Sequence, residues 1–381
     1  MHFTKRYYSF LSARETPSRL YNIGGLSPDG SPMSQFWSHC RNRLAITWSY
    51  LRKKSVVAGG PKYVLLEATG KCNLFCPMCP RELVKFEPAD IPMALFQKII
   101  EESKDFLEFI VPYGGGEPML NPRIFDMIKF CRERNLRVGF STNATLNNPD
   151  RNRKLLEAGL DYIIFAFDGA TKETYEKYRK GAIFEETRAK ILQFLAMKQE
   201  MRAKTFTIIQ MVRLKDNAAE VEDFRKMWSI PGVDQVRIKE DEMQFEGTAI
   251  PGPRLRSKRR NPCHYLWQGP AYVHHDGNVF PCCYMWRGEP LGNANREPLI
   301  QIWNNERMQR IRQAHLDGKI ENYNDCVNCW VPKPRMVFIL GSFVVNGLAV
   351  RKMIPLLEKL ALFSQAPIFE DRVGKGNPTD H

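Results

Sequence analysis

Between Pro61 and about Ile250 the chain alternates strand-like with helix-like segments, and this alternation constrains its fold more than anything else in the sequence. The candidate strands are 63–69, 107–113, 136–141, 160–167, 205–213 and 234–239. Helical patterns fall near 92–104, 122–134, 150–158, 184–202 and 217–228. Six β–α units in a row indicate a parallel sheet with crossover helices, so the expected class is α/β. Six units fall short of the eight that close a complete barrel.

The remainder of the chain is organised around this core. A length of 381 residues suffices for one barrel-sized domain and a smaller one. Residues 1–60 form a basic, aromatic-rich extension, with a helix from Gln35 to Lys54 ended by Gly59-Gly60-Pro61. The core is expected over 61–250. Pro251-Gly252-Pro253 and the basic run Arg254 to Arg260 form a linker into a cysteine-bearing module that ends near 335. Residues 336–381 hold an amphipathic stripe (Leu348, Val350, Met353, Leu356, Leu357, Leu360) and a polar tail. The stripe could lie on a membrane interface or pack on its own domain. No stretch reaches the roughly 20 apolar residues that span a bilayer.

Charge and cysteine usage narrow the setting. The formal charge is +14, from 56 basic and 42 acidic residues, which favours anionic partners. It is spread along the chain, so there is no strong nucleic-acid signal. The ten cysteines cluster at 72–79, 263–283 and 326–329, unlike a secreted disulfide framework. The N-terminus lacks an apolar signal core, and a cytoplasmic location is expected. Cys40 and Cys131 read as ordinary helix residues.

The first cluster carries the chemistry. Cys72, Cys76 and Cys79 stand in the spacing C-x3-C-x2-C directly after the first strand. A cubane iron–sulfur cluster usually takes four thiolates. Three hold three irons and leave one open, and an open metal position marks a reactive site. The alternatives are a zinc site and chance core cysteines. Zinc normally needs paired cysteines or added histidines, and no Cys or His follows Cys79 until Cys131. Against chance stand the surrounding Pro and polar residues, which lack apolar periodicity.

Other strand ends are also polar or glycine-rich. Tyr113-Gly114-Gly115-Gly116-Glu117-Pro118 would let backbone approach a ligand, with the Glu117 carboxylate to balance a cation. Ser141 and Asn143 could bind sugar hydroxyls or cap a helix. Asp168 ends the fourth strand as a turn or cap candidate. Arg213 ends the fifth, either as a bidentate anion partner or as a surface residue, and Lys239 is a similar candidate on the sixth. In the second module Cys263, Cys282, Cys326 and Cys329 could enclose one cluster, with zinc as the alternative and Cys283 as a substitute for Cys282.

The triplet after a first strand resembles the radical S-adenosylmethionine (SAM) superfamily. The resemblance implies a partial six-stranded (β/α) barrel. It implies a 4Fe–4S cluster whose open iron binds SAM and cleaves it to a 5′-deoxyadenosyl radical. Gly115, Gly116 and Glu117 match the family's G-G-E-P run, which recognises the SAM amino group; Gly114 stands where a Thr is usual. Ser141 and Asn143 match residues near the ribose, and Arg213 could meet the SAM carboxylate. The stretch from Phe165 to Tyr175 resembles members that carry an extra C-terminal cluster domain, with Asp168 kept and Ala166 in place of Ser.

His275 to Cys283 and Leu291 to Asn304 resemble the SPASM/twitch extension, which holds auxiliary 4Fe–4S clusters. Position 335 is Arg335 and no Cys follows Cys329, which implies one auxiliary cluster. The resulting expectation is a radical SAM oxidoreductase performing a two-electron oxidation of a small polar metabolite, of sugar or cyclitol type. Asp168, His264 or His275 would serve as base, and a flavodoxin or ferredoxin as electron donor. The alternatives are modification of a peptide or protein side chain, and a non-catalytic iron–sulfur protein at a membrane.

Overall fold

The computed structural model describes residues 32–83, 87–241, 261–285, 288–327, 329, 331 and 336–344. The linker at 251–260, Arg335, the stripe at 348–360 and the polar tail lie outside the described residues.

Nine strands form one sheet in the order β6-β5-β4-β3-β2-β1-β7-β8-β9. β1 (Tyr63–Leu66), β2 (Phe109–Val111), β3 (Arg137–Thr142), β4 (Tyr162–Ala166), β5 (Phe206–Arg213) and β6 (Gln235–Glu240) are parallel neighbours in sequence order. Helices α2 (Met93–Ser103), α3 (Ile124–Glu133), α4 (Pro149–Glu157), α6 (Phe184–Glu200) and α7 (Val221–Trp228) fill the crossovers, as the alternation requires. A short α5 (Lys172–Tyr178) lies between β4 and α6. The sequence showed no helix there, because seven mostly polar residues carry no readable apolar stripe.

Each strand turns one face to the helices and the other to the lumen. Val64 and Leu66 are fully buried, whereas Tyr63 and Leu65, which alternate with them, are partly exposed. The helices answer with apolar residues at helical spacing: Phe96, Ile99 and Ile100 on α2, Ile124, Met127 and Ile128 on α3, Phe224 and Trp228 on α7. Burying such a side chain contributes about 1.5–3 kcal/mol. In the lower lumen Phe109 stacks on Tyr162 at 5.0 Å between ring centres, with Arg137 over Phe109.

β7 (Ala271–Val273) pairs in parallel with the free side of β1, and β8 (Asn278–Phe280) and β9 (Gly292–Asn293) continue antiparallel. The second cysteine module therefore extends the first sheet. α8 (Tyr265–Gln268) precedes β7, and α9 (Leu299–Trp303), α10 (Glu306–Asp317) and α11 (Asn324–Val327) follow β9.

The 20-residue α1 (Pro32–Leu51) lies across the strand N-termini. Asn42 Nδ2 donates to the carbonyls of Gly60 and Phe106, Gln35 to those of Lys104 and Arg134, and Arg43 pairs with buried Glu108. α12 (Met336–Val344) packs beside it, with Phe343 4.9 Å from the Tyr50 ring.

β1, β2 and β4 end short of expectation at the C-terminal side, whereas β3 and β6 run one residue further. β1 stops at Leu66 rather than 69, and β2 covers 109–111 rather than 107–113. The difference is chain that leaves the ladder to build the site.

Candidate active site

The loop after β1 is fastened on three sides. Thr69 Oγ1 donates to Asp90 Oδ1 at 2.6 Å, and Lys71 Nζ pairs with Asp90 Oδ2 at 2.8 Å. Asn73 Nδ2 donates to Thr145 Oγ1 at 2.8 Å and its Oδ1 accepts from Asn143 Nδ2 at 3.0 Å. On the third side, Phe75 N donates to Lys180 O at 3.0 Å. Gly181, at φ +99, lies where any Cβ would come within 3.2 Å of Leu74. Within the loop Cys79 N donates to Cys76 O at 2.9 Å.

Cys76 is buried and Cys72 and Cys79 are half-buried. Burial pushes the Cys76 thiol up to about 11 and raises that of Cys79. A thiolate is costly there unless a cation accompanies it. That donor set fits iron, which would supply the charge. Arg179 already provides part of it: its guanidinium lies 3.9 Å from Cys76 Sγ and pairs with Asp168 Oδ2 at 2.5 Å. Burial alone would lower the Arg179 pKa, but Asp168 and Cys76 outweigh it, and the guanidinium stays charged.

Asp168 is fully buried and also accepts from Val212 N at 2.7 Å. With both oxygens engaged, it anchors Arg179 and β5 rather than presenting a free carboxylate to a substrate.

The glycine run meets this loop through backbone. Glu117 N donates to Lys71 O at 2.7 Å. A Cβ on Gly116 would stand 2.3 Å from the carbonyls of Lys71 and Thr69, so only glycine fits. The Glu117 carboxylate accepts from Thr142 Oγ1 (2.7 Å), Asn143 N (2.8 Å) and Met119 N (3.2 Å). Burial still holds its pKa above the usual carboxylate value. Glu117 thus ties the ends of β2 and β3 together. Asn143 is similarly committed, to Asn73 and to Thr145. Ser141 is half-buried on β3. Arg213 ends β5, paired in register with Glu240, and Lys239 is paired with Val212.

Glu67 was not singled out from the sequence. It follows β1, is fully buried, and accepts from Gly115 N at 2.9 Å and from His275 Nδ1 at 2.8 Å. The signal was present, as a carboxylate closing an otherwise apolar strand. Burial works against the charge, but the hydrogen bond from His275, the nearby His274 and the Gly115 amide hold the Glu67 pKa below its usual value. The same bond raises that of His275. His264, by contrast, lies at the other end of β1 beside Lys62, and burial lowers it to about 4.

The second cysteine set shares one cavity. Cys263, Cys282, Cys326 and Cys329 line it together with Tyr265, Met285, His315 and Asp325. Cys283 is not part of that lining. Burial first, then the neighbouring thiols, lift Cys263 well above the ordinary thiol range, and burial pushes Cys282 up to about 12. Among the described residues no three His, Cys, Asp or Glu side chains close on one point as a single metal ion requires. Four thiols around a common space fit a four-thiolate iron–sulfur cluster.

Comparison with known proteins agrees. The radical SAM superfamily model matches residues 66–227, and the iron–sulfur cluster-binding SPASM domain matches 263–330. A Pyrococcus furiosus protein, the tungsten-containing aldehyde ferredoxin oxidoreductase cofactor-modifying protein, is 24% identical over 74% of this chain and 95% of its own. The AdoMet-dependent heme synthase of Methanosarcina barkeri is 25% identical over 72% and 92%. The mycofactocin maturase MftC of Mycobacterium ulcerans is 29% identical over 42% of each chain. In fold, Streptococcus suis SuiB, solved bound to precursor peptide SuiA, superimposes with a TM-score of 0.57 at 12% identity, over 82% of this chain and 78% of that one. Among the described residues no helix is long and apolar enough to cross a membrane. The chain belongs to the radical SAM superfamily, in its SPASM-bearing branch, and is an enzyme whose cofactors are 4Fe–4S clusters and SAM.

Proposed function

We propose that the enzyme is a maturase that modifies a side chain of a peptide or protein. The carrying observation is the open sheet: among the described residues it ends in β6 on one side and β9 on the other and does not close into a ring. An open edge can admit an extended chain, which a small sugar does not need. Two of the relatives support this direction, one named as a cofactor-modifying protein and one as a mycofactocin maturase, while a third is named as a heme synthase. Oxidation of a free sugar or cyclitol, expected from the sequence, has less support from these relatives.

In this reading Cys72, Cys76 and Cys79 hold the SAM-binding cluster, and Cys263, Cys282, Cys326 and Cys329 hold one auxiliary cluster. The first cluster supplies reductive cleavage of SAM, with the electron delivered by a flavodoxin or ferredoxin. The backbone of Gly115 and Gly116 and the Ser141 hydroxyl hold SAM, and Arg179 keeps positive charge at Cys76. Where the product is oxidised by two electrons, a proton must leave the substrate. His275 is the acceptor that the geometry favours. Glu67 fixes its Nδ1–H and leaves Nε2 to the same end of the barrel as the cysteine loop. Asp168 is bound to Arg179, and His264 lies at the far end.

The test is anaerobic reconstitution followed by turnover with deuterated substrates. Deuterium should enter 5′-deoxyadenosine from a labelled peptide of the correct sequence. Label entering only from sugars or cyclitols would overturn the reading.

A further inference from the structure

α1 carries an apolar stripe on its outer face. Trp37 is 63% exposed, Leu44 71%, Trp48 60% and Leu51 51%. They recur at intervals of seven, four and three residues, so they share one face and span about 20 Å. The opposite face, with Asn42, Ile46 and Tyr50, is buried against the barrel floor. The stripe is therefore held rigidly outwards. Exposed apolar side chains scattered singly need no explanation, but a continuous row of large ones marks an interaction site.

The charge around the row identifies the partner. No Asp or Glu occurs from Pro32 to Leu66. Arg41 lies on the stripe between Trp37 and Leu44, and the guanidinium of Arg52 sits 4.6 Å from the Trp48 ring centre. Lys53 and Lys54 follow, both exposed. Tryptophan prefers the boundary between headgroups and acyl chains, and arginine prefers anionic headgroups. A helix with both on one face lies in that boundary without crossing it. A second copy of the chain is a poorer fit, because it would bring two acid-free, arginine-bearing faces together.

We propose that the outer face of α1 docks this enzyme on an anionic lipid surface. The inference is independent of the substrate reading above. It places the barrel floor on the lipid and turns the cysteine loop away from it.

The experiment uses the full-length, cluster-loaded enzyme and two vesicle types: phosphatidylcholine alone, and phosphatidylcholine mixed with phosphatidylglycerol. Co-sedimentation should show at least about tenfold tighter binding to the anionic vesicles, weakening with salt. The double variant W37S/W48S should bind at least about tenfold more weakly, with native melting temperature and iron content. R41Q/R52Q should lose the preference for phosphatidylglycerol. Failure of the native enzyme to bind either vesicle would overturn the proposal, as would full binding by W37S/W48S. So would loss of binding only on removal of residues 345–381, or a self-associated species that W37S/W48S dissociates.

Discussion

The Glu67 carboxylate accepts a hydrogen bond from His275 Nδ1 at 2.8 Å while its other oxygen accepts the Gly115 amide at 2.9 Å. One buried side chain thus joins the first strand, the glycine turn and the hairpin of the second module. This pair has a definite pH signature. His275 has its pKa raised in the fold, so its contribution is complete below the unfolded value near 6.5 and fades as pH rises through the folded one. Glu67 is lowered, so its contribution is present above the unfolded carboxylate value and is lost only in acid. Glu67→Gln should therefore lower the melting temperature more at mildly acidic pH, just under 6.5, than at alkaline pH. The loss is on the order of 1–3 kcal/mol at the acidic end, the usual cost of disrupting a buried polar pair. Thermal melts across that range test it, and an equal loss at both ends would refute it.

Arg179 and Asp168 should act on the first cluster with opposite signs. Removing a positive charge beside iron disfavours the reduced state, and removing a negative one favours it. Arg179→Gln should lower the cluster's midpoint potential by tens of millivolts, roughly, and Asp168→Asn should raise it. Arg179→Lys should stay near the native value. Redox titration followed by electron paramagnetic resonance reads this directly. An unchanged potential with weakened SAM binding would instead make Arg179 a SAM ligand.

Gly116→Ala should empty one site and spare the other. The new methyl group meets two carbonyls at 2.3 Å, and both belong to the backbone of the cysteine loop. The loop has to shift, at a cost of about 1–3 kcal/mol. Reconstituted iron should fall from about eight to about four per chain, as expected when one of two cubanes is lost. Native iron content in this variant would contradict the packing.

The adjacent cysteines of the second module should separate cleanly. Cys282→Ser should remove about four irons, while Cys283→Ser should leave the count unchanged, because only Cys282 faces the shared cavity. The reverse result would exchange their roles.

What the sequence conveyed follows from the range of its signals. The strands showed in their short apolar runs, and the helices in their 3.6-residue spacing, both local patterns. β7 was not visible as a neighbour of β1, since pairing Val64 with Ala271 spans more than 200 residues. The cysteines were legible because ligand spacing is itself local. Arg179 was missed because its partners, Asp168 and Cys76, are brought to it only by folding. Glu117 and Asn143 were identified as positions, but the Glu117 carboxylate bonds to the end of β3 and the Asn143 side chain to Asn73 of the cysteine loop. Only the second coordinate of each contact, supplied by the tertiary structure, separates a ligand from a brace.

The lower lumen is filled by Phe109 stacked on Tyr162, and α1 lies beneath it. The floor of the barrel is therefore shut, while among the described residues its sheet stays open between β6 and β9. SAM can come in over the rim and an extended peptide through that side. Two entrances leave either molecule free to arrive first, so random-order kinetics would follow.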